Sequence, residues 1–206
     1  MYTASVTSSG RMGWAVRFQA SGRIFKPRFI PRKRHRGQKT ACRADSARAI
    51  IKNASERLVL DTSVWVAALK SNSGASREVL RLCLQTRCRP LMGVKLFTEF
   101  ESVMGRAELF RGCLLGAPER ETLLDAFLSV CEWVPVFYLW RPNLPDEGDN
   151  HLIELALAGA AATVVTQNVR DLRGGELRFP QLGIESLLEF LKRWRKQYGN
   201  DDDSTS

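Results

Sequence analysis

The stretch Arg57-Leu-Val-Leu-Asp61-Thr-Ser63-Val-Trp-Val-Ala-Ala-Leu69 decides the architecture. Its first five residues read as a short buried strand that ends in an acid. Outward from it, helices and strands alternate. Residues 75–85 predict a helix, with Val79, Leu80, Leu82 and Cys83 clustered on one side. A short strand follows at 89–92. Residues 95–105 then predict a helix striped by Leu96, Phe97, Phe100, Val103 and Met104. Pro118 suits the first turn of a helix that runs to about Cys131. Residues 133–140 predict a strand, 149–160 a helix, 162–166 a strand, 182–185 a last strand and 186–196 a last helix. This alternation predicts an α/β fold, with a central, mostly parallel sheet covered by helices on both faces. Ligands of such sheets collect beyond the carboxyl ends of the strands. Asp61 and Asn168 would both lie on that edge.

The net charge of +9 is unevenly spread. Residues 1–57 hold fourteen Lys or Arg against Asp45 and Glu56, while residues 58–206 hold seventeen basic and twenty acidic side chains. The basicity therefore belongs to an N-terminal arm, and the body is not a strongly basic nucleic-acid binder. Residues 1–43 contain no acid and include a basic block at 26–36. Such a segment cannot bury enough apolar surface to offset its ordering entropy, so residues 1–56 read as a disordered extension. A phosphate-binding arm and an organelle transit peptide compete with the reading adopted, an extension with no part in folding. Residues 57–197 form the expected domain, and 198–206 an acidic polar tail. No run of eighteen apolar residues occurs, so neither a membrane span nor a membrane partner is expected. Five cysteines without a CxxC pair read as reduced core residues of a cytoplasmic protein.

Absences narrow the chemistry. There is no GxxxxGK[ST] loop, no GxGxxG and no GxSxG. Two histidines, His35 and His151, leave little for histidine acid–base work. What remains is carboxylates: Asp61, Glu99, Asp146, Glu147, Asp149 and Asp171. Gathered together, they would make an oxygen-rich site suited to Mg²⁺ or Mn²⁺, able to activate a water against a phosphodiester. Each also has a plain structural explanation. Asp61 could be a turn former, Glu99 a solvated partner of Lys95 and Asp149 a helix cap. Asp146 and Glu147 could be loop residues, and Asp171 a partner of Arg173.

Taken in order, the segments resemble a family. Residues 58–69 are similar to the opening of PIN domains, where an Asp-Thr-Asn-Val-like element ends the first strand. The segment Leu96-Phe-Thr-Glu99-Phe-Glu-Ser-Val-Met-Gly-Arg106 resembles the second family segment, centred on an acid in a helix. Asp146-Glu-Gly-Asp149-Asn-His-Leu-Ile-Glu-Leu-Ala156 resembles the third, an Asp-x-x-Asp pair that opens a helix. Ala162-Thr-Val-Val-Thr166-Gln-Asn168-Val-Arg-Asp171-Leu resembles the fourth, a strand leading into a Thr-x-Asn or Thr-x-Asp turn. The set covers about 140 residues. The branch it most resembles holds the prokaryotic toxin components of toxin–antitoxin pairs, akin to VapC.

The resemblance implies a PIN-like three-layer sandwich and a Mg²⁺- or Mn²⁺-dependent endoribonuclease. It implies a homodimer restrained by a small antitoxin and acting on single-stranded RNA. Carried over by position, Asp61, Glu99 and Asp149 would be the catalytic, metal-binding acids. Asp146 would be an auxiliary acid, and Ser63 would support the first aspartate or the substrate phosphate. Two positions depart from the family pattern. Ser63 replaces the more usual asparagine, and Asn168 stands where many PIN nucleases have a fourth acid. A catalytically weak PIN-like module that binds RNA or protein is the alternative. A phosphohydrolase with Asp61 as nucleophile is disfavoured, because Ser63 stands where such enzymes carry a second aspartate.

Overall fold

A computed structural model describes residues 4–9, 13–18, 24–25, 55–71, 74–139, 141 and 143–198. The chain divides into two units, residues 1–53 and 54–206. In the first, strands β1 (Ala4–Ser9), β2 (Gly13–Phe18) and β3 (Ile24–Phe25) form an antiparallel sheet in that order, with Val6 opposite Val16. The sequence reading expects no order here. It passes over Trp14, Val16 and Phe18, which recur at the strand period of two. The basic block at 26–36 and the tail beyond Tyr198 lie outside the described residues.

The second unit is built on five strands: β4 (Glu56–Leu60), β5 (Cys88–Met92), β6 (Glu132–Trp133), β7 (Thr163–Val165) and β8 (Gly183–Glu185). All pairings are parallel, in the order β6-β5-β4-β7-β8. The first strand is therefore central. The chain builds outward to one side through β5 and β6, then returns to add β7 and β8 on the other. That reversal makes a switch point beside β4, where open α/β sheets hold their ligands. Leu58, Val59 and Leu60 are buried together, as a central strand covered on both faces requires.

Helices α1 (Thr62–Lys70), α2 (Ala75–Leu84), α3 (Val94–Met104), α4 (Ala117–Val130), α5 (Asn150–Ala158), α6 (Val169–Arg173) and α7 (Leu187–Tyr198) complete a three-layer α/β sandwich. Helix α5 packs across β4, β5 and β7, while α2 and α4 pack on β5. Trp65 of α1 stacks on Phe100 of α3 at 5.3 Å between ring centroids and meets Phe127 of α4 at 5.2 Å. This aromatic knot fixes the acid-bearing start of α1 against α3.

Three departures from the sequence reading have physical causes. The periodicity reading assigns no helix to residues 62–70, because Val64-Trp65-Val66 carries strand-forming side chains. Packing overrides that propensity once Asp61 caps the helix. The strand expected at 133–140 shrinks to Glu132–Trp133. Pro135 has no N–H for a ladder, and Phe137, Tyr138 and Leu139 stand exposed; Trp140 lies outside the described residues. The helix expected from Asp149 begins with a single 3₁₀ turn, Glu147–Asp149, and becomes regular only at Asn150.

Candidate active site

Asp61 follows β4 directly. Its N–H continues the ladder to the Val165 carbonyl at 3.0 Å, and its side chain caps α1. Three donors fix the carboxylate. The Ser63 N–H reaches Oδ1 at 3.2 Å, while the Ser63 and Thr166 hydroxyls each donate to Oδ2 at 2.6 Å. Ser63 thus does locally what a turn asparagine would do, and Thr166 adds a grip from the neighbouring strand end.

Glu99 comes from the middle of α3. The Thr62 hydroxyl donates to its Oε2 at 3.3 Å, and His151 Nε2 lies 3.2 Å from the same oxygen. The Glu99 side chain is 37% exposed, whereas that of His151 is only 6% exposed. At that separation His151 Nε2 still has no hydrogen-bond partner, so the oxygen sits off the nitrogen's axis. The other ring nitrogen, Nδ1, is 2.7 Å from the Gly148 carbonyl. A carbonyl only accepts, so Nδ1 carries the proton.

Asp146 and Asp149 bracket the 3₁₀ turn. Asp146 Oδ1 accepts the Gly148 N–H at 2.8 Å and shapes the turn. Lys95 Nζ donates to the Gly148 carbonyl at 2.8 Å. The lysine thus ties the turn to the helix that carries Glu99, rather than pairing with Glu99 itself. Asp149 makes no capping bond. Its carboxyl is raised above the usual range, first by burial and then by the negative charges of Asp61, Asp146 and Glu99, with His151 opposing. Four acids from three separate elements thus share one electrostatic neighbourhood.

Asn168 reaches the same edge but turns outward. Its N–H bonds Thr166 Oγ1 at 2.9 Å, and its side-chain amide donates to Asp171 Oδ2 at 2.6 Å. Asp171 is therefore a partner of Asn168, not of Arg173, which bonds the Ile184 carbonyl.

The donor set suits a hard cation: carboxylate oxygens gathered where burial and neighbouring negative charge already raise the Asp149 carboxyl. Among the described residues no three such side chains are arranged to hold one ion together. The fit is one of chemistry and charge. Cysteine chemistry has no foothold at this edge. Cys83 and Cys88 are buried and free, and burial pushes the Cys88 thiol up to about 12.

Thr166, Thr62, Lys95 and His151 were not among the residues singled out from sequence. Thr166 sits inside the quoted Thr-x-Asn turn and was the most findable. A groove of about 730 Å³ leaves the cluster along α1, past Thr62, Ser63, Val66, Val103 and Gln167 to the exposed Lys70. A cleft of about 580 Å³ lies at the opposite edge and is spanned by ion pairs. There Arg193 holds Glu56 at 2.7 Å and Glu185 at 2.8 Å.

Among solved structures, the chain is similar to a VapBC2 from Rickettsia felis bound to a DNA fragment from its promoter. The identity is 18%, the match covers 63% of this chain and 98% of that one, and the TM-score is 0.45. No curated protein matches the chain. Residues 57–170, more than half of the chain, match the PIN domain family, a family of generally metal-dependent nucleases, and the chain belongs to it.

Proposed function

We propose that this PIN domain protein is a Mg²⁺- or Mn²⁺-dependent endoribonuclease that hydrolyses single-stranded RNA as the toxin of a toxin–antitoxin pair. The observation that carries this reading is the shared field at Asp149, where Asp61, Asp146 and Glu99 all act on one partly buried carboxyl. A bound divalent ion would supply the positive charge that acidifies a water and offsets charge on the phosphodiester. Asp61, Glu99 and Asp149 would hold it. Ser63 and Thr166 keep the Asp61 carboxylate aimed, Asp146 shapes the turn that presents Asp149, and Asn168 braces Asp171 beside the edge. The groove along α1 gives an RNA strand an apolar wall, with Lys70 as a phosphate contact.

A small antitoxin and a second copy of the chain are the proposed protein partners, in the cytoplasm. The resemblance to the toxin branch supports both, and the exposed Phe137-Tyr138-Leu139 run offers apolar surface for one of them. Among the described residues no helix is long and apolar enough to cross a membrane. The test is cleavage of end-labelled single-stranded RNA with Mn²⁺, with Mn²⁺ plus chelator, and by Asp61→Asn. Cleavage confined to the first condition supports the proposal. RNA left intact by the wild type with Mn²⁺ overturns it.

One observation favours a second reading, a PIN module that binds RNA or protein without cutting. The fourth acid of many PIN nucleases is the amide of Asn168, and that amide is committed to Asp171. Chelator-independent RNA binding without turnover would select this reading.

A further inference from the structure

We propose that the leucine-lined groove between α2 and α7 is a docking site for an acidic amphipathic helix of another protein. The groove shares no lining residue with the candidate active site or with the groove along α1, so the inference goes beyond the RNA-cleavage reading and stands apart from it.

Helices α2 and α7 pack side by side, with α4 against α2. Between them lies a groove of about 720 Å³. Its large apolar residues are all leucines: Leu80 and Leu84 of α2, Leu123 of α4, and Leu188 and Leu191 of α7. Leu80 and Leu191 are buried and form the floor, whereas Leu188 stands 63% exposed. A leucine that open, continuous with buried ones, is apolar surface left for a partner to cover. The rim is basic. Arg77, Arg81, Lys192 and Arg195 line it against one acid, Glu78. Arg195 Nε donates to Glu78 Oε1 at 3.2 Å, while Arg77 donates to the Ser71 carbonyl, a neutral partner. Arg81 and Lys192 are exposed and, among the described residues, pair with no acid. Glu189, beside Leu188, is turned to Ser186 and Arg173. Leu188, Lys192 and Arg195 follow helical i, i+4, i+7 spacing along α7, and Arg77, Arg81 and Leu84 do the same along α2. Each helix thus presents one leucine and two cations along the groove, in a body whose acids outnumber its bases twenty to seventeen.

This combination selects the occupant. Leucine anchors take the apolar stripe of a helix, and a positive rim takes its acidic flanks. A second copy seated through the same face would set basic rim against basic rim. The chain's own tail, residues 199–206, brings Asp201, Asp202 and Asp203 but no Leu, Ile, Val, Met or aromatic side chain to cover the leucines. Single-stranded RNA would meet the rim, but its bases stack on aromatic rings and none lines the groove.

The probe is a synthetic, fluorescently labelled helical peptide with leucines at i, i+4 and i+7 and glutamates on both flanks. A second peptide carries lysines in their place. Anisotropy is read on the full chain, on Leu188→Ser and on Arg81→Glu/Lys192→Glu. The wild type should bind the acidic peptide about tenfold tighter than the basic one, and the charge-reversed variant should invert that order. Leu188→Ser should weaken the acidic peptide about tenfold, with little change in melting temperature because the side chain is mostly exposed. The basic N-terminal arm is common to all three proteins, so a preference that survives charge reversal overturns the inference. So does an unchanged affinity in Leu188→Ser. Self-association that is lost in Leu188→Ser assigns the face to a second copy. Tighter binding of the acidic peptide by about tenfold in Asp201→Asn/Asp202→Asn/Asp203→Asn assigns it to the tail. Either result overturns the inference, and all of them leave the RNA-cleavage reading as it stands.

Discussion

Thr166 donates its hydroxyl proton to Asp61 at 2.6 Å, so the residues that close two neighbouring parallel strands hold each other across the sheet edge. Thr166 is fully buried and also accepts the Asn168 N–H, which ties three candidate positions into one relay. Thr166→Val keeps the shape and removes the donor. Mn²⁺ affinity is expected to fall about tenfold, as for other losses of a ligand's supporting hydrogen bond. Stability should drop by only about 1 kcal/mol. Thr166→Ser should retain affinity. Calorimetry on both variants decides it, and equal affinity in the valine variant would show that Ser63 alone suffices.

The raised Asp149 carboxyl makes a signed statement about pH. Burial comes first among its causes and the Asp61 charge second, so the folded chain holds that proton to a higher pH than the unfolded chain does. The stability this group contributes is full below the unfolded carboxylate range and lost as pH rises through the raised value. Asp149→Asn should therefore melt about 1–3 °C above wild type at neutral pH without metal, a small rise because solvent screens a group this open. The difference should vanish below about pH 3.5. With saturating Mn²⁺ the order should reverse, because the wild type gains binding energy that the variant lacks. Melting curves at the two pH values, with and without Mn²⁺, test all three signs.

At the opposite edge Arg193 bridges Glu56 and Glu185, and Thr163 donates to Glu56 at 2.9 Å. Arg193→Ala strands two largely buried carboxylates. The expected loss is about 2–3 kcal/mol, below the value for a fully enclosed pair because the guanidinium keeps some solvent. Denaturant unfolding measures it. Mn²⁺ affinity should not move, since Arg193 meets Glu56 at the start of β4, the end away from Asp61.

Helix α5 ends in an unusual order of small residues. Gly159 adopts an ordinary helical conformation, while Ala160 takes a positive φ of 51°. A Cβ on Gly159 would lie 2.3 Å from a methyl of Leu91 and 3.1 Å from Val134. The glycine is thus spent on close packing, and alanine bears the left-handed turn. Ala160→Gly should stabilise the fold by about 0.5–1 kcal/mol, whereas Gly159→Ala should cost about 1–3 kcal/mol. Opposite shifts in the denaturation midpoint check the assignment.

The alternation of strands and helices was legible because each apolar run between Leu58 and Leu191 carries its own period. Asp61 was legible because a lone acid directly after Leu58-Val59-Leu60 is costly without a purpose. Helix α1 was not, since Val64-Trp65-Val66 favours a strand locally and folds as a helix only because Trp65 finds Phe100 and Phe127. Glu99 looked like an ordinary partner of Lys95 four residues away. Instead the lysine crosses 53 positions to the Gly148 carbonyl. Two histidines in the whole sequence leave little for acid–base work, so His151 carries no signal of its own. Its relation to Glu99 depends on how α3 and α5 pack, and no local pattern encodes that. The same holds for Thr166 and Asp61, which are 105 positions apart.

The bridge from Arg193 to Glu56 has a bearing on synthesis. The ribosome makes the middle strand of the sheet early in this unit and the residue that clasps it near the end, 137 positions later. A nascent chain that has emerged only as far as Asn168 already carries every acid of the candidate site, yet β8 and α7 are still to come and Glu56 has no guanidinium to meet. Completion of the domain is therefore timed to the last helix. A release of the chain before Arg193 would yield a product with the chemistry encoded but its foundation unfastened, easy prey for proteases rather than a working enzyme.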